Sequence, residues 1–197
     1  SACRWRLFSP MSISFVPMQP SDAGLLLEWR THPDITRHMY TDLFEPSVAK
    51  QVAWIKAMQA SPSYEGFVIY DADKPVGFLC FSDIDTVHQR CSTGSYMYDK
   101  SARLKYAVTL HTYICNYAFH RLGMHKIVNY IMGANKKVEK IQALHKTRHV
   151  GILKDHVYKY GQFHDVHIFE QLKSDWLTMK QHFPLADIQR AYANWRD

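Results

Sequence analysis

The hydrophobic period of this chain switches between helical and alternating, and the order of the switches leaves few folds open to it. Before Tyr64 the apolar residues recur at helical spacing, with Leu25, Leu26 and Trp29 in "DAGLLLEWRTH" and Val48, Val52, Ile55 and Met58 in "SVAKQVAWIKAMQ". Ser21 or Asp22 can cap the first of these helices, Pro33 ends it, and the second begins near Ser47. Upstream, "ISFVPM" alternates and stops at Pro17 and Pro20, the pattern of an edge strand. From Tyr64 the period becomes two. "GFVIYDADKPVGFLCFSDID" predicts two strands around a hairpin at Asp71–Pro75, and "QRCSTGSYMYD" a third. Residues 96–119, "YMYDKSARLKYAVTLHTYICNYAF", then run from strand through a polar turn, Ser101 to Val108, into an amphipathic helix from about Ala107 to Arg121 that Leu122–Gly123 terminates. "HKIVNYIMGAN" follows as a strand, "KKVEKIQALHKT" as a helix, and "GILKDHVYKYGQFHDVHIFEQL" as a closing hairpin turning near Tyr160–Gln162. The order β-α-α-β-β-β-α-β-α-β-β predicts one α/β (α+β) domain: a mostly antiparallel mixed sheet with helices on both faces.

With 197 residues and 47% hydrophobic content, the chain can fill one sizeable core. The expected division is a leader over 1–10, a domain over 11–176 and a helical extension over 177–197. The extension's Leu185, Ile188 and Tyr192 make an apolar stripe that fits either its own domain or a second copy, so a homodimer is open. The net charge of +6 allows an anionic partner, yet Lys and Arg are scattered. The densest run, "KKVEKIQALHKTR", contains Glu139 and no interleaved aromatics, which argues against nucleic acid. No apolar run approaches the roughly 18 residues of a membrane span. Cys3, Cys80, Cys91 and Cys115 lack C-x-x-C spacing, as expected of reduced thiols in the cytoplasm, and the histidines form no metal-binding signature.

Several segments carry more than periodicity. "LEWRTHPDITRHMYT", "NYAFHRLGMHKI" and "NKKVEKIQALHKTRHVGILKDHVYKYGQFHDVHIF" resemble the GNAT acetyltransferases, and within them the N-acetyltransferases that modify nucleotide-linked amino sugars in the pseudaminic acid pathway. The resemblance implies acetyl-CoA as cosubstrate and a small amine as acceptor. It implies that Tyr96, Met97 and Tyr98 form the strand that pairs with the pantetheine arm. Arg103, Leu104, Lys105, Tyr106, Ala107 and Val108 then form the pyrophosphate loop, in which Tyr106 and Val108 stand at positions that are small in the family, and Asn135 opens the last helix on the cofactor side. Gln142 falls where related enzymes have a tyrosine that protonates the departing thiolate; an amide donates a hydrogen bond but no acid proton. Tyr130, on the preceding strand beside Asn129, is the phenol that can replace it, or a packed sheet residue.

On the acceptor side the candidates are Arg30, Tyr40 and Asp83. Arg30 can bind an acidic group or pair with Glu28 or Asp34. Tyr40, with Trp29 and His38, can wall a base or sugar, and Asp83 can orient an amine or serve the turn before Thr86. The expected reaction is direct transfer, without an acyl-enzyme. The rival expectation is a binding or structural protein that keeps the fold after losing efficient acetyl-CoA use, with Tyr106, Val108 and Gln142 as its marks.

Overall fold

The computed structural model describes residues 12–37, 39–133 and 144–195. Its elements are β1 (Ile13–Pro17), α1 (Ala23–Thr31), α2 (Pro33–Thr36), α3 (Val48–Ala60), β2 (Glu65–Asp71), β3 (Lys74–Asp85), β4 (Arg90–Met97), α4 (Lys100–Tyr106), α5 (Leu110–Asn116), β5 (Lys126–Met132), β6 (Arg148–Lys159), β7 (Gln162–Leu172), α6 (Lys173–Leu177) and α7 (Leu185–Ala191). After α5 the chain winds on as a π-helical turn, Tyr117–Arg121. The seven strands lie in the order β1-β2-β3-β4-β5-β7-β6. All neighbours are antiparallel except β4 and β5. The helix expected over "KKVEKIQALHKT" falls largely outside the described residues.

Both predicted hairpins form. Ala72 (φ 53°) turns β2 into β3, and Tyr160 (φ 53°) and Gly161 (φ 75°) join β6 to β7 in a two-residue turn of the kind that matches strand twist. Gly123, at φ 70°, follows the end of the π-helical turn as a left-handed stop. Ser47 caps α3 by accepting the Lys50 N–H at 3.2 Å. The other predicted cap differs: the Asp22 carboxylate accepts the Gln19 N–H at 2.7 Å and makes no cap bond to α1. Pro33 ends α1 and also opens α2, because its fixed φ suits a first helical position.

The expected turn over Ser101–Val108 is mostly helix. Asp99 is extended and its side chain accepts the Ala102 N–H at 2.9 Å, so α4 starts at Lys100; Ala102 and Tyr106, one helical step apart, are both buried. The break comes later, at 107–109, before α5.

One face of the sheet packs Phe15, Phe67, Leu79, Phe81 and Ile127 against Tyr113, Cys115, Tyr117 and Phe119; the other packs Val68 and Phe78 against Leu26, Trp29 and Ile55. The C-terminal segment docks on its own domain. Tyr192 stacks on Phe15 at 4.4 Å and donates its hydroxyl to the Tyr113 carbonyl, and the Ala193 N–H reaches the Phe15 carbonyl at 3.0 Å. Among the described residues no helix is long and apolar enough to cross a membrane.

Candidate active site

The sheet opens between its two parallel strands. β4 and β5 pair only at Arg90↔Lys126 and Cys91↔Ile127. Beyond that point β4 stays with β3 as far as Met97, while β5 stays with β7 as far as Met132. In an antiparallel pair, alternate residues direct their N–H groups to the same neighbour. The Tyr98 N–H goes to the Val76 carbonyl on the β3 side, so Tyr96, Gly94 and Ser92 point that way and Thr93, Ser95 and Met97 point toward β5. Thr93 fixes the parity directly: its N–H donates to Asn129 Oδ1 at 2.8 Å, across the gap. Asn129 Nδ2 returns a bond to Thr93 Oγ1 at 3.0 Å. The backbone N–H groups of Ser95 and Met97 therefore face a widening split with no strand opposite them among the described residues.

At the mouth of the split the Arg103 guanidinium turns back onto the Met97 carbonyl, with Nε at 3.0 Å and Nη2 at 2.8 Å. A cavity of about 650 Å³ lies beside it, walled by Trp29, His32 and Tyr98 and edged by Glu28, Lys74, Lys100 and Arg103. Tyr98 stacks on Trp29 at 5.6 Å and meets His32 edge-on at 5.3 Å. The Asp99 carboxylate, capping α4, also pairs with Lys74, and those hydrogen bonds hold it below the usual carboxylate range.

The remaining residues of the expected pyrophosphate loop divide. Lys105 and Tyr106 do not face the split: both cross β3 toward the β2 side, where Lys105 Nζ lies 2.8 Å and the Tyr106 hydroxyl 2.7 Å from Asp71 Oδ1, and Tyr106 also meets Ser12 at 2.8 Å. Burial alone would raise the Asp71 carboxyl, but the bonds from Lys105 and Tyr106 outweigh it and hold the pKa low. The aromatic ring that the sequence sets at a small-residue position is thus a core residue, 5% exposed. Leu104 is exposed, Ala107 caps the end of α4, and Val108 is half exposed in the turn before α5.

The opposite face of the split carries the acceptor-side candidates. Because Cys91 and Ile127 are register partners, alternation sends the Tyr96 and Tyr130 side chains to one face from the two sides of the gap, the face covered by α1 and α3. Tyr130 is 47% exposed, and Tyr96 meets Trp29 edge-on at 6.3 Å. Arg30, in the last turn of α1, donates Nη2 to the Thr41 carbonyl at 3.0 Å and to Thr41 Oγ1 at 3.2 Å. Its Nη1 is buried with no hydrogen-bond partner among the described residues. Burial raises the pKa values of Tyr64, Cys80 and Tyr96, and the Arg30 charge opposes the rise in all three.

The segment after α2 is clamped from its other side. Lys159, at the tip of β6, is 6% exposed and donates to the Thr36 and Met39 carbonyls and to Asp42 Oδ1, each at 2.7 Å. Tyr40, in that segment, meets His156 edge-on at 6.4 Å. Asp83 is elsewhere: it sits at φ 50° in the irregular end of β3, next to Ser82, whose partner is Ser92 at the closed end of the split. Met97 lies five residues beyond Ser92 along β4, roughly 17 Å. Asn135, Gln142 and His38 lie outside the described residues.

A sheet parted between two parallel strands, with strand N–H groups facing the gap and a cation at its mouth, defines a class. The chain belongs to the GNAT acetyltransferases: the model of the acetyltransferase (GNAT) domain matches residues 13–143. It is an acetyl-CoA-dependent N-acetyltransferase of that type. Acetyltransferase PseH of Campylobacter jejuni subsp. jejuni serotype O:23/36 (strain 81-176) is 24% identical over 128 residues, 65% of this chain and 78% of that protein. Spermidine N-acetyltransferase from Vibrio cholerae, in complex with CoA and spermine, shares the fold with a TM-score of 0.78 at 18% identity, over 84% of this chain and 98% of its own. The manganese complex of the Vibrio cholerae enzyme SpeG gives 0.74 at 17% identity, over 86% and 97%.

The residues present suit acetyl-CoA. The edge of β4 offers the Ser95 and Met97 N–H groups to an extended arm carrying amides, and Arg103 and Lys100 offer cations to a diphosphate. Sequence reasoning missed Ser95, Thr93 and Lys159. A polar run, "STGS", inside a strand was the available signal for the first two; nothing local marks a lysine that will be buried by a segment 117 residues away.

Proposed function

We propose that the protein transfers an acetyl group directly to the amine of a small anionic acceptor, with a nucleotide-linked 4-amino sugar as the first choice. Arg30 carries this reading. Among the described residues its buried Nη1 lacks a partner, a costly state for a charged donor, and it sits on the face where an acceptor would approach the split. A phosphate or carboxylate on the acceptor would satisfy it. The sequence resemblance to amino-sugar N-acetyltransferases and the likeness to PseH support the same choice.

Acetyl-CoA brings the acetyl group as a reactive thioester. In this reading Arg103 and Lys100 hold its diphosphate, the Met97 N–H pairs with an amide of the arm, and the Ser95 N–H, deeper in the split, polarises the thioester carbonyl oxygen; Asn135, the further cofactor-side candidate, lies outside the described residues. Tyr130 gives a proton to the departing thiolate and Tyr40 flanks the acceptor. Lys105, Tyr106 and Asp83 act as structural residues. Among the described residues no cysteine suits an acyl-enzyme route, since burial raises the Cys80 thiol, pushes Cys91 up to about 12 and lifts Cys115 well above its ordinary value, favouring the protonated form of each.

A polyamine acceptor is the second reading, favoured by the fold shared with the spermidine enzymes. The Arg30 cation opposes it. A thiol-release assay with acetyl-CoA, comparing nucleotide-linked 4-amino sugars with spermidine and spermine, tests the choice. Turnover of the sugar, with kcat/KM falling about 10–100-fold in Arg30→Met and the KM for acetyl-CoA unchanged, is expected, because one charged hydrogen bond is removed. Preferential turnover of polyamines overturns the sugar reading. Acetyl-CoA binding without thiol release from any acceptor favours the impaired-enzyme rival.

A further inference from the structure

We propose that Asn129, braced by Thr93, forms the inner wall of the β4–β5 split and limits the length of the acyl group the enzyme accepts. The proposal rests on the acetyltransferase reading. The split has a closed end, where Cys91 pairs with Ile127, and an open end, where Arg103 caps the Met97 carbonyl. An acyl thioester whose diphosphate stays at the cationic open end must present its acyl tip toward the closed one.

Asn129 stands across that path. Two residues beyond the last paired position, a ladder that simply continued would bring the β5 backbone to the Thr93 N–H. The Asn129 side chain takes that N–H instead, so the strands part by the length of a side chain. With Oδ1 accepting from the Thr93 N–H and lying 3.2 Å from its hydroxyl, and Nδ2 donating to the same hydroxyl, the amide is engaged on both of its polar atoms. It is therefore a fixed wall, held in one orientation by Thr93.

Behind the wall the lining is apolar. Ile127 shares a strand face with Asn129 and is 3% exposed, and its partner Cys91 is 2% exposed. Removing the amide would open a small space lined by a branched aliphatic chain and a thiol, which suits added methylenes and nothing charged. It would also release the Thr93 N–H, moving the innermost strand donor two residues deeper than Ser95.

Calorimetric binding of CoA, acetyl-CoA, propionyl-CoA and butyryl-CoA to the wild type, Asn129→Ala and Asn129→Ser tests this without relying on turnover. The wild type should prefer acetyl-CoA to butyryl-CoA by more than about tenfold, the discrimination that one excluded methylene gives in a filled pocket. Asn129→Ala should narrow that preference to within about threefold while its affinity for CoA itself changes less than about twofold. Asn129→Ser, which can retain a bond to Thr93, should fall between and guards against a folding defect in the alanine variant. An unchanged preference in variants that still bind CoA, loss of CoA binding in both, or a wild type indifferent to acyl length overturns the proposal. A wild type that binds neither CoA nor acetyl-CoA overturns the acetyltransferase reading with it.

Discussion

Adjacent side chains on α4 serve different neighbourhoods. Arg103 turns to the Met97 carbonyl at the mouth of the split, while Lys105 and Tyr106 turn to Asp71 and Ser12 on the far side of β3. Helical geometry separates Arg103 from Lys105, which lie about 160° apart around the axis, while Tyr106, about 60° from Arg103, takes its ring the other way to reach Asp71. Tyr106→Phe keeps the ring and removes the hydroxyl from Asp71 and Ser12, so stability should fall by about 1 kcal/mol in urea unfolding, with acetyl-CoA affinity unchanged within about twofold. Tyr106→Gly should cost about 3–5 kcal/mol, because it hollows the core under α4 rather than clearing a ligand site. A glycine variant that gained acetyl-CoA affinity at no cost in stability would show that the ring obstructs the cofactor after all.

Among the elements, the segment between α2 and α3 and the β6–β7 hairpin depend on each other through Lys159. Its ammonium is enclosed by two carbonyls and the Asp42 carboxylate, whose pKa is lowered chiefly by the bond from Lys159. Lys159→Met should free residues 36–42 from the hairpin, costing about 2–4 kcal/mol for a buried charged donor with three acceptors. Hydrogen exchange in 36–42 should quicken, and KM for the amine should rise with little change in KM for acetyl-CoA. Unaltered exchange there would mean that Arg30 alone holds the segment through Thr41. Element positions were mostly legible beforehand: both hairpins, α3 and the stop at Gly123 came from local turn and cap chemistry. The Ser101–Val108 segment was not, because nothing in it forbids a turn. Asp99 capping α4 and the docking of Ala102 and Tyr106 on the core decide for helix.

For the molecule as a whole, a stacked histidine pair, His145 buried and His111 partly so, is expected to set the acid limit. His111 and His145 stack at 4.1 Å beside Trp176. Burial, then the neighbouring His111 and His182, holds His145 down to about 4, and burial also lowers His111 and His120. An unfolded histidine titrates near 6.5, so between roughly pH 6.5 and 4 the unfolded chain takes up protons that the native one refuses. Stability is therefore full above that range and declines as pH falls through it, before the carboxylates Asp42 and Asp71, whose pKa values are lowered, begin to matter. The urea midpoint should drop from pH 7.5 to pH 5, and His145→Gln should flatten the drop; a midpoint independent of pH over that interval would rule the pair out as its source. Sequence alone determined the order of elements, the two hairpin turns and the likeness to the GNAT acetyltransferases, because hydrophobic period, turn residues and motif wording act over short stretches of chain. Only the tertiary structure decided that Tyr106 is core, that Lys159 clamps a segment far away in sequence, and that Asn129 ends the ladder opposite Thr93, because each depends on which distant strand or loop stands across from it.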